Sequence, residues 1–147
     1  MKNLLPLTLL ATALSFATAS HATDATLAAS AKEAGAEVTA SGLVYKSLKD
    51  GTGASPKASD TVKVNYRGTF PDGKEFDSSY KRNKAIEFPL GNVIPCWTEG
   101  VQRMKVGGKA KLTCPAAIAY GSRGAGGVIP PNATLLFEVE LLGINGK

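Results

Sequence analysis

The sequence predicts an α+β fold in which a curled antiparallel sheet of about five strands wraps around one short helix. Segments 61–67, 109–114 and 135–141 alternate apolar and polar side chains with the period of a strand that is buried on one face. Segment 95–104 repeats its apolar residues with the period of a helix. Because one short helix cannot cover a flat sheet of this size, we expect the sheet to curl around the helix.

Each of the three long predicted strands has one apolar face. The residues expected to point inward are Val62, Val64 and Tyr66 in the first strand, Ala110, Leu112 and Cys114 in the second, and Leu135, Phe137, Val139 and Leu141 in the third. A Pro-Asp-Gly turn at 71–73 follows the first strand. Shorter strands are predicted at 43–48, 74–76 and 86–88.

The predicted helix is amphipathic. Trp97, Val101 and Met104 are spaced i, i+4 and i+7, so they share one face. Pro95 suits the first turn of a helix, and the glycine pair at 107–108 suits the exit from one. We therefore expect Trp97 to face the sheet.

The composition is that of one globular domain and excludes several kinds of chemistry. The chain has 147 residues, 44% of them hydrophobic, and a formal net charge of +5. Its basic residues are scattered, which predicts a solvated surface and no nucleic-acid partner. The one histidine, His21, lies in the predicted presequence, so histidine-dependent nucleophiles and zinc sites are excluded from the mature chain. We expect no metal and no cofactor.

The first 22 residues have the pattern of a secretory signal peptide. A lysine near the start precedes an apolar run at 4–16, and small residues lead to Ala22, after which we expect cleavage, with Ala19 as the second choice. The run is too short for a stable membrane span. The expected location is therefore the bacterial periplasm or the medium. Residues 23–42 are rich in Ala, Ser and Thr, which predicts a flexible extension or one weak helix before a folded domain at 43–147.

The residues alone do not specify a catalytic pair. The carboxylates Glu75, Asp77, Glu87 and Glu99 form no acid–base pattern, and the glycine-rich stretch at 124–127 opens no helix, which argues against a phosphate loop. A single helix on a curled sheet leaves one end open, however. An apolar basin at that end would be a binding site.

Four strings carry a specific resemblance to a known family. They are, in order, VKVNYRGTFPDGKEFDSS, FPLGNVIPCWTEGVQRMKVGGKAKL, AYGSRG and GVIPPNATLLFEVELL. With them, residues 43–144 resemble the FKBP-type peptidyl-prolyl isomerases, in particular the bacterial cell-envelope branch that includes the macrophage infectivity potentiators. The region before Gly42 is too short for the long dimerising helix of that branch, so the expectation is a monomer.

The resemblance implies a shallow apolar pocket with Trp97 as its floor beneath a substrate proline. The implied catalytic residues are Tyr66, Phe76, Asp77 and Tyr120, and the implied substrate-binding residues are Arg82, Phe88, Val93, Ile94, Trp97, Ile129 and Phe137. Tyr120 and Ile129 are expected at the rim. The Ile94 N–H and the Tyr120 hydroxyl are expected to donate to substrate carbonyls. Asp77 is expected beside the twisting amide with Tyr66 and Arg82, as an orienting charge and not as a base.

The implied function is rotamase activity on proline-containing secreted polypeptides, without a nucleophile. The alternative is a binding module or holdase chaperone that captures unfolded segments in the same groove without turnover. Family members bind macrolides. Ile86 and Ile118 replace rim positions that are frequently aromatic, so the resemblance leaves macrolide affinity open here.

Two departures from the family pattern are cysteines. Cys96 stands where glycine is usual after the Val-Ile-Pro string, and Cys114 replaces a branched apolar residue at the end of its strand. We predict a disulfide between them, in keeping with an oxidising compartment. The alternative is a pair of buried free thiols.

Overall fold

The computed structural model describes residues 20–145. The strands are β1 (Ala36–Val38), β2 (Val44–Lys49), β3 (Thr61–Thr69), β4 (Glu75–Ser78), β5 (Ile86–Pro89), β6 (Lys109–Cys114) and β7 (Leu135–Ile144). The α-helices are α1 (Ser20–Ala31) and α2 (Pro95–Gln102), with short 3₁₀ turns at Leu90–Asn92 and Ala116–Ile118. Most of the predicted signal segment, residues 1–19, lies outside the described residues.

The sheet is antiparallel, with the order β1-β2-β6-β7-β3-β4, and β5 also pairs with β3. β5 pairs with the first half of β3, from Thr61 to Val64, and β4 pairs with its second half, from Arg67 to Thr69. The loop 79–85 leaves the sheet between these two pairings. The sheet edge is therefore interrupted beside Tyr66, and this interruption bears directly on the site.

The core lies between the concave face of the sheet and α2. The predicted inward residues of β3, β6 and β7 are all buried. At the middle of α2, a β-carbon on Gly100 would lie 2.8 Å from both δ-carbons of Leu112, so the missing side chain lets the helix approach β6 closely. This close contact fixes the helix against the sheet, and Trp97 on the preceding turn points the same way.

Residues 20–145 contain more elements than the sequence predicts, with seven strands and two α-helices. Helix α1 starts within the predicted signal segment and continues to Ala31, in the segment that was expected to be a flexible extension or one weak helix, and strand β1, which was not predicted, follows it. Ser30 of α1 hydrogen-bonds Thr113 at 3.0 Å, and Glu33 pairs with Lys111 at 2.9 Å. Both partners lie on the outward face of β6, so this segment packs against the side of the sheet opposite α2.

Candidate functional site

An apolar cavity of about 540 Å³ opens between the sheet and the N-terminal end of α2. Its aromatic lining consists of Tyr66, Phe76, Phe88, Trp97, Tyr120 and Phe137. The remaining lining residues are Asp77, Ile86, Glu87, Asn92, Val93 and Ile94. An apolar basin with few polar groups is the usual form of a small binding site.

Trp97 lies at the floor of this cavity, and three rings support it. Its ring centroid lies 5.2 Å from those of Tyr66 and Phe137, in edge-to-face geometry, and 5.5 Å from that of Phe88. Such ring pairs add stability beyond the area that they bury. The indole is only 6% exposed, and its Nε1 has no hydrogen-bond partner within residues 20–145. The floor is therefore rigid, and it presents carbon surface to a ligand.

The part of the cavity wall formed by Phe76 and Phe137 depends on a residue without a side chain. A β-carbon at Gly68 would lie 2.6 Å from Cζ of Phe76 and 3.0 Å from Cε1 of Phe137. Glycine at this position lets both rings lie over β3, with centroids 5.6 Å apart. The depth of the cavity therefore depends on Gly68.

Asp77 enters the cavity wall as part of a hydrogen-bonded cluster. The Tyr66 hydroxyl donates to one carboxylate oxygen, and Arg82 donates to the other at 2.6 Å. The Ser78 N–H also donates to Asp77, at 2.9 Å, and a second nitrogen of Arg82 donates to the Tyr66 hydroxyl at 3.0 Å. The carboxylate is thus held in one orientation by three donors.

The protonation states of this cluster follow from these contacts. Burial by itself would raise the pKa of Asp77, but the hydrogen bonds from Tyr66 and Arg82 and the guanidinium charge outweigh it, and the pKa is lowered. Burial, followed by the hydrogen bond to Asp77, raises the pKa of the Tyr66 phenol. The contacts to Asp77 and Tyr66 raise the pKa of Arg82. At neutral pH the cluster is a carboxylate, a guanidinium and a neutral phenol, so Asp77 is a poor base.

Ser79 anchors the loop that presents Arg82. Its side chain is fully buried, and its hydroxyl accepts from the Tyr66 N–H at 2.8 Å and donates to Asn65 Oδ1 at 2.9 Å. The Ser79 N–H donates to the Tyr66 carbonyl at 2.9 Å. Ser79 therefore replaces the missing strand partner at the interrupted sheet edge and starts the loop 79–85 toward the cavity.

Two donors are available at the mouth of the cavity. Ile94 precedes Pro95, and its backbone is extended, with φ −58° and ψ 146°. In the described part of the chain its N–H makes no hydrogen bond. Tyr120 is 40% exposed and also lines the cavity. Both residues therefore place a hydrogen-bond donor within reach of a polypeptide in the cavity.

The predicted disulfide between Cys96 and Cys114 is confirmed. Both cysteines are fully buried, and they are separated by 18 positions in the chain. The bond ties the first turn of α2 to the end of β6. Because Cys96 lies between Ile94 and Trp97, the cross-link anchors the segment that forms the floor and one edge of the cavity.

The structure brings most of the expected site residues together, but Ile129 and Arg82 are not among the residues that line the cavity. Ile129, expected at the rim, is 6% exposed and does not line the cavity. Its N–H and carbonyl form two 2.9 Å hydrogen bonds with Ala125, and this bridge folds the loop back so that the side chain packs into the core. Arg82 is not in the lining either, but it acts on the site through Asp77 and Tyr66.

Sequence reasoning missed Glu87 and Asn92, which also line the cavity. Successive residues of a strand point to opposite faces, so Glu87 and Phe88 of β5 do not share a face. β5 is a short edge strand beside the opening, so residues of both faces reach the mouth. No cluster of three or more potential metal-ligating side chains occurs within residues 20–145.

The fold and this cavity define a class, and comparison with known proteins identifies it. The family profile described as FKBP-type peptidyl-prolyl cis-trans isomerase matches residues 53–142, which is more than half of the chain. The chain belongs to the FKBP-type peptidyl-prolyl cis-trans isomerase family.

Similar proteins occur in several bacteria. The chain is 54% identical over 114 residues to the isomerase FkpA of Escherichia coli K12, which covers 78% of this chain and 42% of that protein. It is 58% identical over 118 residues to FkpA of Aeromonas hydrophila, covering 80% of this chain and 44% of that protein. It is 46% identical over 121 residues to the outer membrane protein Mip of Legionella longbeachae, covering 82% and 52%. The chain thus spans about half the length of these curated relatives.

Solved structures have the same fold. The crystal structure of FkpA from Escherichia coli matches with a TM-score of 0.81 and 49% identity, covering 85% of this chain and 58% of that one. The structure of a peptidyl-prolyl cis-trans isomerase from Pseudomonas syringae matches with a TM-score of 0.78 and 37% identity, covering 88% and 98%. The predicted α+β fold of a curled antiparallel sheet around a helix is confirmed.

Proposed function

We propose that this chain catalyses cis–trans isomerisation of the peptide bond before proline in exported polypeptides. The observation that carries the proposal is the rigid apolar cavity over Trp97, with the clamped carboxylate of Asp77 in its wall. The family and the similarity to bacterial isomerases support the same activity.

The reaction requires rotation and no covalent step. Twisting an amide breaks its resonance, with a barrier of about 18–20 kcal/mol in the uncatalysed reaction. The planar amide is more dipolar than the twisted one, and water therefore stabilises the planar form more strongly. Transfer of the bond into an apolar cavity removes this advantage, and each gain of about 1.4 kcal/mol for the twisted state accelerates rotation tenfold.

The polar groups orient the substrate during this rotation. The proline ring rests on Trp97, and the Ile94 N–H and the Tyr120 hydroxyl donate to carbonyls of the bound chain. Asp77, fixed by Tyr66 and Arg82, holds a negative charge beside the amide. Because its pKa is lowered, the carboxylate does not accept a proton in the operating range.

The test is an isomerisation assay on a proline-containing peptide with the full mature chain and three variants. We expect Trp97→Leu to lower kcat/KM about 10- to 100-fold, because the floor is lost. Asp77→Ala and Tyr120→Phe should each lower it about tenfold. Circular dichroism and urea unfolding show whether each variant is folded.

An inactive but folded parent chain would contradict the proposal. Suppression of aggregation of an unfolded client, measured by light scattering without isomerisation, would then support the holdase alternative. Loss of isomerisation in the variants with retained suppression would separate the two roles.

We also infer export to the periplasm or the medium, from the signal-like segment at 1–22 and the similarity to a protein named as an outer membrane protein. No helix within residues 20–145 is long and apolar enough to cross a membrane.

We also propose that the chain is a monomer, which light scattering checks. We propose that its cavity admits macrolides, which inhibition of the isomerisation assay checks.

A further inference from the structure

A second groove adjoins the cavity across one shared residue, Val93. It has a volume of about 580 Å³ and runs along the exposed side of α2. Its lining includes apolar Val93, Pro95 and Ile118 and polar Thr98, Glu99 and Gln102. A chain that seats its proline on Trp97 and leaves the cavity over Val93 enters this groove directly. An extended chain advances about 3.3–3.6 Å per residue, so a few flanking residues would occupy it.

The charges along this combined surface are all of one sign. The cavity lining contains Asp77 and Glu87, and the groove lining contains Glu99, while neither contains a lysine or an arginine. This contrasts with the whole chain, which has 17 basic and 12 acidic residues. The acidic lining is therefore a local feature that the composition does not predict.

Two of these carboxylates are available to a ligand. Asp77 is neutralised by Arg82 at 2.6 Å. Glu87 faces Lys63 across the strand pair, but within residues 20–145 the structure shows no ion pair between them, and the Asn145 side chain donates a hydrogen bond to Glu87 at 3.5 Å. No described cation lies within ion-pairing distance of Glu87.

Glu99 is in a similar position. It accepts a hydrogen bond from the Ser41 hydroxyl at 2.5 Å. Arg103 lies one turn further along the chain, but its guanidinium pairs with Glu37 at 3.4 Å and not with Glu99. Glu99 therefore keeps its negative charge facing the groove, as Glu87 does at the mouth of the cavity.

We propose that the bound polypeptide continues from the cavity into this groove, and that Glu99 and Glu87 select proline-containing segments with lysine or arginine near the proline. The proposal rests on the proposed function and defines its substrate class. Glu99 attracts a cationic side chain on the part of the chain that crosses Val93, and Glu87 attracts one on the other side of the opening. Acidic side chains of the bound polypeptide at these positions are repelled by the two glutamates.

The test compares peptides with the same central Leu-Pro unit and with lysine, glutamine or glutamate placed on both sides of it. NMR exchange spectroscopy measures kcat/KM without a coupled protease, whose own charge preference would interfere. With the full mature chain at low salt, we expect the lysine peptide to exceed the glutamate peptide about fivefold. At about 0.5 M salt the ratio should approach one, because the pairs are exposed and screened.

Charge reversal tests the assignment of the two carboxylates. Glu99→Lys and Glu87→Lys should each reverse the preference at one flank, which peptides with a single charged flank reveal. Glu138→Lys makes the same charge change on β7, outside both linings, and should preserve the preference.

Equal kcat/KM for the lysine and glutamate peptides at low salt would overturn this proposal and leave the isomerase function intact. If Glu99→Lys and Glu138→Lys have the same ratio of kcat/KM for the lysine peptide to kcat/KM for the glutamate peptide, the role of the groove is overturned. If no peptide is isomerised, the proposed function fails. The ratio of peptide Kd values from isothermal titration calorimetry then decides the charge preference by itself.

Discussion

The two ends of α2 carry two different surfaces. At its N-terminal end lies the aromatic cavity, whose charged lining residues are carboxylates. At its C-terminal end lies a smaller cleft of about 290 Å³, between the end of α2 and the end of β2. The charged residues that line this cleft are Lys49, Asp50, Arg103, Lys105 and Lys109. The same short helix thus separates an apolar, acidic region from a polar, mainly basic one.

The difference follows from what faces the helix at each end. At the cavity, side chains meet, and Gly68 leaves room for two rings. At the cleft, backbone meets backbone, since a β-carbon on Gly51 would lie 2.3 Å from the Lys105 carbonyl oxygen. Close backbone contact leaves little apolar surface to line a basin. The net charge of the chain is therefore no guide to the charge of its binding surface.

The largest effect is expected from removing the disulfide, which anchors only the cavity end. The double variant Cys96→Ala, Cys114→Ala should lower the free energy of unfolding by about 3 kcal/mol, because the unfolded chain without the cross-link regains the conformational freedom of the loop that the disulfide closes. Urea unfolding measures the loss. Hydrogen exchange should accelerate more at Trp97 than at Arg103, and equal acceleration at the two positions would show that the cross-link does not act locally.

Two glycine substitutions should separate stability from activity. Gly51→Ala and Gly68→Ala should each destabilise the fold by about 1–3 kcal/mol, with Gly51→Ala toward the upper end because carbonyl oxygens cannot move aside. Only Gly68→Ala should also lower kcat/KM of the folded fraction, since it displaces Phe76 and Phe137. Gly143→Ala is the control, because a β-carbon there meets nothing within 4 Å. A loss of kcat/KM in Gly51→Ala would mean that the surfaces at the two ends of α2 are coupled.

The pH dependence should be flat where a proton-transfer enzyme would vary. The lowered pKa of Asp77 means that its charged interactions are complete above the ordinary pKa of the carboxyl, 3.8, and are lost only as the pH falls through the lowered value. The raised pKa of Tyr66 keeps its hydroxyl protonated at neutral pH. We expect kcat/KM to change less than about twofold between about pH 6 and 9, and a bell-shaped profile in that range would identify a titrating base.

The smallest effect is expected from charge reversal in the cleft. Lys49→Glu and Lys105→Glu remove cations that line only the C-terminal end. Exposed charges that lie outside the cavity are screened at physiological salt. For peptides with either flanking charge, kcat/KM should therefore change less than about 1.5-fold. A larger change would show that the field of the whole molecule, and not the local lining, sets the preference.

The spacing of apolar residues predicted the central elements, because burial of one face of a strand or helix leaves a regular hydrophobic pattern. β3, β6, β7 and α2 each have such a pattern, and the residues predicted to face inward are buried, although Met104 lies beyond the end of α2 at Gln102. β1 has three residues of weak pattern, and α1 is held by contacts such as Ser30 with Thr113 that leave no apolar signal. Neither element could be read from periodicity.

The site was predicted through the family resemblance more than through local patterns. The resemblance implied the cavity residues, whereas the residues alone predicted only an open apolar end. Ile129 was expected at the rim, whereas its side chain packs into the core, because the loop is held by the Ala125 bridge, a contact with no periodic signal. The role of Ser79 depends on the gap between β4 and β5, which appears only when β3 is paired.

The floor of the cavity is also the one indole in the chain. Tryptophan fluorescence therefore comes from a single place, and a ligand that enters the cavity changes the solvent around that indole. Occupancy can be titrated on the unlabelled protein by the shift in its spectrum. Quenching by acrylamide then measures how completely each peptide seals the opening.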